Sequence, residues 1–216
     1  MTSLLEVAEN MNYKMVLKVL GNVMLYESIL LLIPLAIAFG YGDGDCLAFL
    51  ITIISMMPIS LLLRRLEIKG KDMYAKEGFL TVGLTWIVIA AFGALPFVIS
   101  GAIPSFIDAF FETVSGFTTT GATILTEIQS LPRGILFWRS FTHWIGGMGF
   151  LIFILALVPS LGSNTIYLLR AESPGPDPGK IVPKIRETAK ILYIIYLMLT
   201  IAQTILLMFS GLSAYD

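Results

Sequence analysis

The sequence is short of charged residues. Asp, Glu, Lys and Arg make up only 13% of its 216 residues, whereas 56% are hydrophobic; a soluble domain carries roughly 25% charge. So little charge cannot coat a water-soluble globule, and so hydrophobic a chain is not disordered. The single cysteine, Cys46, excludes an intrachain disulfide, and the net charge of -1 argues against a nucleic-acid partner. What remains is an integral membrane protein, with the lipid bilayer as its surroundings.

The sequence contains several long apolar runs. Five are long enough to cross ~30 Å of hydrocarbon, over residues 19–39, 46–63, 79–99, 137–159 and 191–209. Glu27 interrupts the first run; we expect it to face protein or reach an interface, and we assign it no ion-binding role. A further apolar stretch, 104–117, would form a helix of only about 20 Å, which is too short to span a membrane.

Positive charge indicates the orientation of these spans. The regions 14–18, 64–76 and 170–190 together hold 12 of the 14 Lys and Arg residues. The positive-inside rule places all three regions, and the amino terminus, in the cytoplasm. This holds only if 104–117 does not cross, because a crossing would move 170–190 to the outer side. We therefore predict that 104–117 is re-entrant and both enters and leaves at the outer face.

The re-entrant segment carries helix-boundary residues at both ends. Pro104 suits the first turn of a helix, where its missing N–H costs nothing, and Gly116 suits a helix C-terminus. A short helix is therefore predicted over 104–115, entering from outside. Its partially negative C-terminal end would point toward the middle of the membrane, where it favours a cation.

A polar stretch, Thr118, Thr119, Thr120 and Gly121, follows that predicted helix. Polar backbone at membrane depth must be buried in protein or line a water-filled path. Threonines favour extended backbone, and glycine permits a positive φ, so successive carbonyls can face one way and replace the water shell of a cation. The pattern predicts a cation-conducting loop; the alternative is an ordinary loop of small polar residues.

A few ionisable residues surround this loop in sequence. Asp108 and Glu112 are four residues apart, on one face of the short helix, and could attract cations to an outer vestibule or brace the loop. Asp108 would also be favoured simply by the helix N-terminus, and a structural role is favoured for Glu112. Arg139 is expected to pair with an acid such as Glu112 or Glu127. His143, the only histidine, is expected to be packed or hydrogen-bonded.

Several stretches resemble the Trk/Ktr/HKT potassium transporters. Residues 110–122 are similar to the first pore loop of that superfamily. Residues 137–140 and 144–149 are similar to the start of the following helix in the Trk-type potassium-uptake membrane subunit, whereas 171–175 and 184–189 are similar to its next cytoplasmic linker. The glycines 146, 147 and 149 would allow close packing or a bend in that helix.

The resemblance implies an all-α integral membrane fold of potassium-channel type. Residues 1–78 would form an N-terminal hairpin of two transmembrane helices with its cytoplasmic loop, and 79–170 a first helix–re-entrant pore loop–helix repeat. Residues 171–216 would hold a cytoplasmic linker and the first helix of a second repeat. The family uses four pore loops where this chain has one. Either the chain is a fragment, which we favour, or other copies or another chain supply the remaining pore repeats.

The resemblance also implies potassium uptake across the cytoplasmic (inner) membrane, channel-like or as a symporter, with no enzymatic step and no covalent cofactor. Potassium would bind at Thr119, Thr120 and Gly121, with Thr118 as part of the selectivity filter. Glycine at position 121 marks potassium selectivity in the family, whereas serine there is associated with sodium in some plant members. The implied partners are a second copy in a homodimer and a cytosolic nucleotide-binding regulatory subunit.

Two other functions stay open on the residues alone. An intramembrane enzyme could use Asp108, Glu112 and His143 as acid–base groups, although these residues show no nucleophile or metal-ligand spacing. A non-conducting membrane scaffold subunit would need none of them.

Overall fold

The structure is a computed structural model that describes residues 11–67, 75–147, 149 and 185–211. The regular elements in these ranges are all α-helices, which confirms the predicted all-α fold. We number them along the chain: α1 Tyr13–Leu30, α2 Leu32–Tyr41, α3 Cys46–Arg64, α4 Ala75–Gly93, α5 Leu95–Ile99, α6 Phe106–Phe117, α7 Arg133–Gly146 and α8 Ile185–Phe209.

Four stretches of helix are long and apolar enough to cross a membrane. They are Tyr13–Tyr41, Cys46–Arg64, Lys76–Ile99 and Lys190–Phe209, matching the first, second, third and fifth predicted spans. The predicted span 137–159 begins within α7. The rest of that span and the predicted linker segment 171–175 lie outside the described residues, as does residue 184, whereas 185–189, the rest of the second linker segment, begin α8.

Two of the predicted spans are interrupted by a turn. Pro34 has no N–H to donate to the carbonyl of Leu30, and α1 gives way to α2 at Leu31. Pro96 likewise leaves the carbonyl of Phe92 without its helical donor, and α4 ends three residues earlier, at Gly93. Each of these spans is therefore two helices joined by a single residue.

The core lies where α1 packs against α3 and α4, and α6 and α7 pack against each other beside α4. Glycine lets α1 and α3 approach closely: a Cβ at Gly21 would lie 2.8 Å from the Cβ of Leu63. Ser60 Oγ closes this contact by donating to the Gly21 carbonyl at 2.7 Å. Trp138 of α7 is fully buried and donates through Nε1 to the Gly93 carbonyl at 2.9 Å.

The short helix α6 begins and ends two residues later than predicted. Ser105 is its N-cap and accepts a hydrogen bond from the Asp108 amide, so Pro104 lies before the helix and not in its first turn. The hydroxyl can accept this bond, which gives Ser105 the advantage at the boundary. Gly116 lies in the last turn. With 12 residues, α6 is about 18 Å long and remains too short to span.

Candidate functional site

The loop after α6 is turned and not extended. Amides of the three threonines bond back to carbonyls in the last turn of α6: Thr118 N to Val114 O, Thr119 N to Gly116 O and Thr120 N to Ser115 O, each at 2.9 Å. Thr119 has a φ of 56°, in the left-handed region. The extended conformation predicted from threonine propensity is therefore wrong at Thr118 and Thr119, because the unpaired carbonyls of a helix end recruit the next amides.

Gly121 adopts the positive φ that the sequence predicted for it, 74°. A Cβ there would meet no atom within 4 Å, so the requirement for glycine is conformational and not one of space. Within the described part of the chain, the carbonyl oxygens of Thr119, Thr120 and Gly121 accept no hydrogen bond. These three oxygens are therefore available to a ligand.

The threonine side chains satisfy one another at this loop. Thr118 Oγ1 donates to the Val114 carbonyl at 2.7 Å and lies 2.8 Å from Thr120 Oγ1. Thr119 Oγ1 donates to the Thr118 carbonyl at 2.7 Å. All of these side chains are exposed, whereas the residues just before them, 115–117, are buried. The loop thus presents a polar surface on a buried support.

Glu112 provides most of that support. Its carboxylate is 1% exposed and accepts from Thr123 Oγ1 at 2.9 Å and from the Ile124 amide at 3.2 Å, both beyond the turn. Arg139 Nε on α7 donates to the same carboxylate at 2.7 Å. The structure therefore pairs Arg139 with Glu112 and not with Glu127. Charge-assisted bonds of this kind are among the stronger ones, so they tie the far side of the loop to α6 and α7.

Asp108 takes no part in this network. It lies exposed in the first turn of α6, where a carboxylate is favoured, whereas Glu112 is buried one turn later. Four residues make one turn plus about 40°, so the two acids share a face of α6 and differ in burial because Asp108 lies nearer the exposed start of the helix. An attraction of cations by Asp108 at an outer vestibule stays a prediction.

His143 is hydrogen-bonded, as predicted. Its Nδ1 lies 3.0 Å from the carbonyl oxygen of Arg139, one turn earlier on α7. Because the Glu112 carboxylate is bound by Arg139 and Asp108 is exposed, the acid–base trio of the enzyme alternative is not assembled. Across the described ranges, no three His, Cys, Asp or Glu side chains converge on a metal-like site.

Small residues let α7 press against the end of α6, as predicted for the glycines of this region. A Cβ at Gly146 would overlap the carbonyl oxygen of Phe117, and a Cβ at Gly116 would overlap Thr142 Oγ1. The Phe117 ring meets Trp138 edge-on, with 6.2 Å between ring centroids. The end of α6 is therefore held by close packing as well as by hydrogen bonds.

Sequence reasoning missed two aspartates. Asp43 and Asp45, in the loop between α2 and α3, accept from the amides of Arg133 at 3.0 Å and Ile135 at 3.1 Å, and so cap α7 from 90 residues away. Burial raises the pKa of Asp45, and hydrogen bonds from the amides partly oppose that rise. The sequence did contain a signal for this contact. Pro132 precedes α7 and has no side chain that could cap the helix, so the cap had to come from another part of the chain.

The sequence profile of the TrkH family, described as a cation transport protein, matches residues 46–215. The chain belongs to the TrkH family. The predicted family resemblance is thereby confirmed, and because the TrkH family consists of cation transporters, the enzyme alternative is not favoured.

Curated relatives in the TrkH family cover nearly the whole chain. The Trk system potassium uptake protein TrkH of Escherichia coli (strain K12) is 41% identical over 209 residues, which is 95% of this chain and 43% of that protein. The protein of the same name from Halomonas elongata is 37% identical, with the same coverage. An uncharacterized cation transporter of Methanocaldococcus jannaschii is 33% identical over 93% of this chain and 42% of that protein.

A solved structure from the TrkH family has the same fold. The crystal structure of the potassium transporter TrkH from Vibrio parahaemolyticus matches with a TM-score of 0.73 and 32% identity, covering 95% of this chain and 41% of that one. The chain thus spans about two fifths of the length of the relatives it matches.

Proposed function

We propose that this chain contributes one segment of the selectivity filter of a potassium uptake protein. Thr119, Thr120 and Gly121 would bind the ion through main-chain oxygens, with Thr118 at the start of the filter. The observation that carries the proposal is that these three carbonyl oxygens accept no hydrogen bond from the described residues, while the amides around them are bonded. Relatives at 41% and 37% identity are named as potassium uptake proteins.

The position of the loop suits a cation. It follows the C-terminus of α6 directly, and that end of a helix carries a partial negative charge. Carbonyl oxygens can replace the hydration shell of potassium if their positions are fixed, which the contacts of Glu112 with Thr123, Ile124 and Arg139 provide. Inward movement needs no covalent chemistry, since the membrane potential supplies ~2.3 kcal/mol per charge per 100 mV.

One loop forms only one side of a pore, and further pore repeats would complete it. The exposed surface of residues 118–124 and the almost wholly exposed stretch Lys190–Phe209 of α8 suit packing against such repeats. We propose 1–78 as the N-terminal hairpin, 79–170 as the first repeat, with α6 as its re-entrant helix, and 171–216 as the linker and opening helix of the second.

We further propose that the amino terminus is cytoplasmic and that the membrane is the inner one. Contacts at one end of the bundle support a shared side for the basic regions: Lys18 Nζ of α1 donates to the Leu66 carbonyl after α3 at 3.2 Å. The Asn12 amide donates to Glu77 of α4 at 3.3 Å at the same end. The proposed homodimer and the nucleotide-binding regulatory subunit rest on the family resemblance, and copurification with the complete protein tests both.

The filter assignment is tested with Gly121→Ala in the complete protein, with Gly101→Ala as its control. Gly101 has a φ of 77° and, like Gly121, no atom within 4 Å of a built Cβ. Both substitutions therefore carry the same left-handed strain, about 1–2 kcal/mol. Only Gly121→Ala is expected to lower potassium uptake by potassium-depleted cells and to reduce its preference for potassium over sodium.

The stronger variant Gly121→Asp places a charge among the ligand oxygens and is expected to abolish uptake while the protein still reaches the membrane. Wild-type uptake by both Gly121 variants would show that the loop is not the filter. Equal losses in Gly121→Ala and Gly101→Ala would show that backbone strain alone explains the effect.

A further inference from the structure

Glu27 lies in the middle of a membrane-spanning helix, and its carboxyl group has no hydrogen-bond partner among the described residues. It is fully buried, and neither oxygen of its carboxyl group is paired with any described residue. The other buried glutamates in the described ranges are partnered, Glu112 by Arg139 and Glu77 by the Asn12 amide. Glu27 is therefore the exception that needs an explanation.

The carboxyl group of Glu27 lies where α1, α4 and α6 meet. A Cβ built on Gly93 of α4 would lie 3.3 Å from Glu27 Oε1, 2.8 Å from Thr113 Cγ2 and 3.2 Å from Phe117 Cε2. The absence of a side chain at Gly93 leaves the room that the glutamate occupies. Thr113 and Phe117 belong to α6, so the carboxyl group lies close to the helix that directly precedes the candidate filter.

No described charge is placed to compensate an ionised Glu27. On α1, Lys18 is nine residues away, or about 13 Å along the helix. On α4, Lys76 and Glu77 lie at the far end, about 24 Å along the helix from Gly93. The other charged groups on the packed helices, and His143, lie at helix ends or are bonded elsewhere; the charged groups are Lys14, Arg64, Asp108, Glu112, Arg133 and Arg139.

We propose that Glu27 is a proton-binding site: its carboxyl group holds a proton in the folded protein at neutral pH, and losing that proton loosens the packing of α1 against α4 and α6. An ionised carboxylate removed from water without a partner is unfavourable, whereas the neutral acid is tolerated far better. The inference does not rest on the proposed function, because it concerns the binding of a proton and not the path of potassium.

The direct test is infrared spectroscopy of the complete protein at neutral pH. A protonated carboxyl group absorbs in its C=O stretching band, separately from a carboxylate. We expect the Glu27→Gln variant to lack a protonated-acid band that wild type shows, and the control Glu77→Gln to retain it. Wild-type and Glu27→Gln spectra that differ only in the carboxylate band would overturn the proposal.

Stability against pH gives a second readout. A proton held in the folded state and released on unfolding makes stability fall as pH rises, by tenfold in the folded-to-unfolded ratio for each pH unit. Between about pH 5 and pH 7, where the carboxyl group is ionised in the unfolded chain and protonated in the folded one, we expect the thermal midpoint of wild type to fall relative to that of Glu27→Gln, which mimics the neutral acid. Parallel profiles would overturn the proposal.

The control variant Glu77→Gln distinguishes a protonated acid at position 27 from a buried acid that hydrogen bonds stabilise. Glu77→Gln should lower the midpoint at neutral pH because it weakens existing bonds, whereas Glu27→Gln should leave it unchanged or raise it. If neither Glu27→Gln nor Glu27→Met folds while Glu77→Gln does, the fold needs an ionised carboxylate at position 27, and the proposal is wrong.

Discussion

Glu112→Gln is expected to release the loop after α6 from its support. The Glu112 side chain is 1% exposed and that of Arg139 is 14% exposed, with 2.7 Å between Oε1 and Nε. Removing one partner of a buried ion pair costs about 3–5 kcal/mol, compared with 1 kcal/mol or less for an exposed pair. Because Arg139 is partly exposed, we expect a loss near the lower end, about 3 kcal/mol.

The loss is measurable as a lower thermal midpoint of the complete protein in detergent, together with reduced potassium uptake. Arg139→Gln should have a similar effect because it leaves the Glu112 carboxylate buried and unpaired. In the double variant the two losses should not add, since residues in direct contact show coupling of about 0.5–3 kcal/mol. Additive losses would show that the pair is not the unit that supports the loop.

Asp108→Asn is the matched control. It removes the same charge from the same helix, but at an exposed position outside the network. We expect its thermal midpoint and uptake to stay close to wild type. Equal loss of uptake in Asp108→Asn and Glu112→Gln, most marked at low potassium and without a change in stability, would refute bracing and favour long-range attraction of cations.

Two further predictions concern packing around α7. Asp45→Ala should lower the thermal midpoint because the buried Ile135 amide loses its acceptor, at about 1–3 kcal/mol, whereas Asp45→Asn keeps an acceptor. Since burial raises the pKa of Asp45, its stabilising effect is complete at low pH and declines as pH rises through that raised value. Asp45→Asn should remove this dependence of the thermal midpoint on pH. An unchanged dependence would contradict the prediction. Gly116→Ala should cost about 1–3 kcal/mol through overlap with Thr142 Oγ1, and adding Thr142→Ala should restore part of the midpoint.

Features that depend on length and polarity along the chain were predictable. The apolar run 46–63 gave α3, Cys46–Arg64, to within one residue, because the thickness of the bilayer sets the length of a span. The segment 104–117, bounded by Pro104 and by the polar threonines, coincides with α6 apart from its first two residues. The helix breaks at Leu31 and Ala94 could have been predicted from Pro34 and Pro96, since a residue without an N–H group interrupts the hydrogen bonding of a helix.

The backbone of the candidate filter was not predictable from residue propensities. Threonine favours extended backbone only weakly, and the effect is easily reversed by context. At Thr118 to Thr120 the context is the end of α6, whose unpaired carbonyls take up three successive amides. The same bonds explain why the carbonyl oxygens remain unpaired: once the amides turn back toward the helix, the oxygens that follow them have no backbone donor in reach.

The partners of buried acidic residues are the feature of the structure that the sequence predicted least. In an apolar chain with 13% charge, each interior carboxyl group needs a donor, a counter-ion or a proton. Glu112 has the counter-ion Arg139 on α7, and Asp45 has the amide of Ile135, 90 residues away. Glu27 has neither among the described residues. All three look alike as isolated acids in the sequence, because the partner that decides each state comes from another helix and depends on which helices pack together.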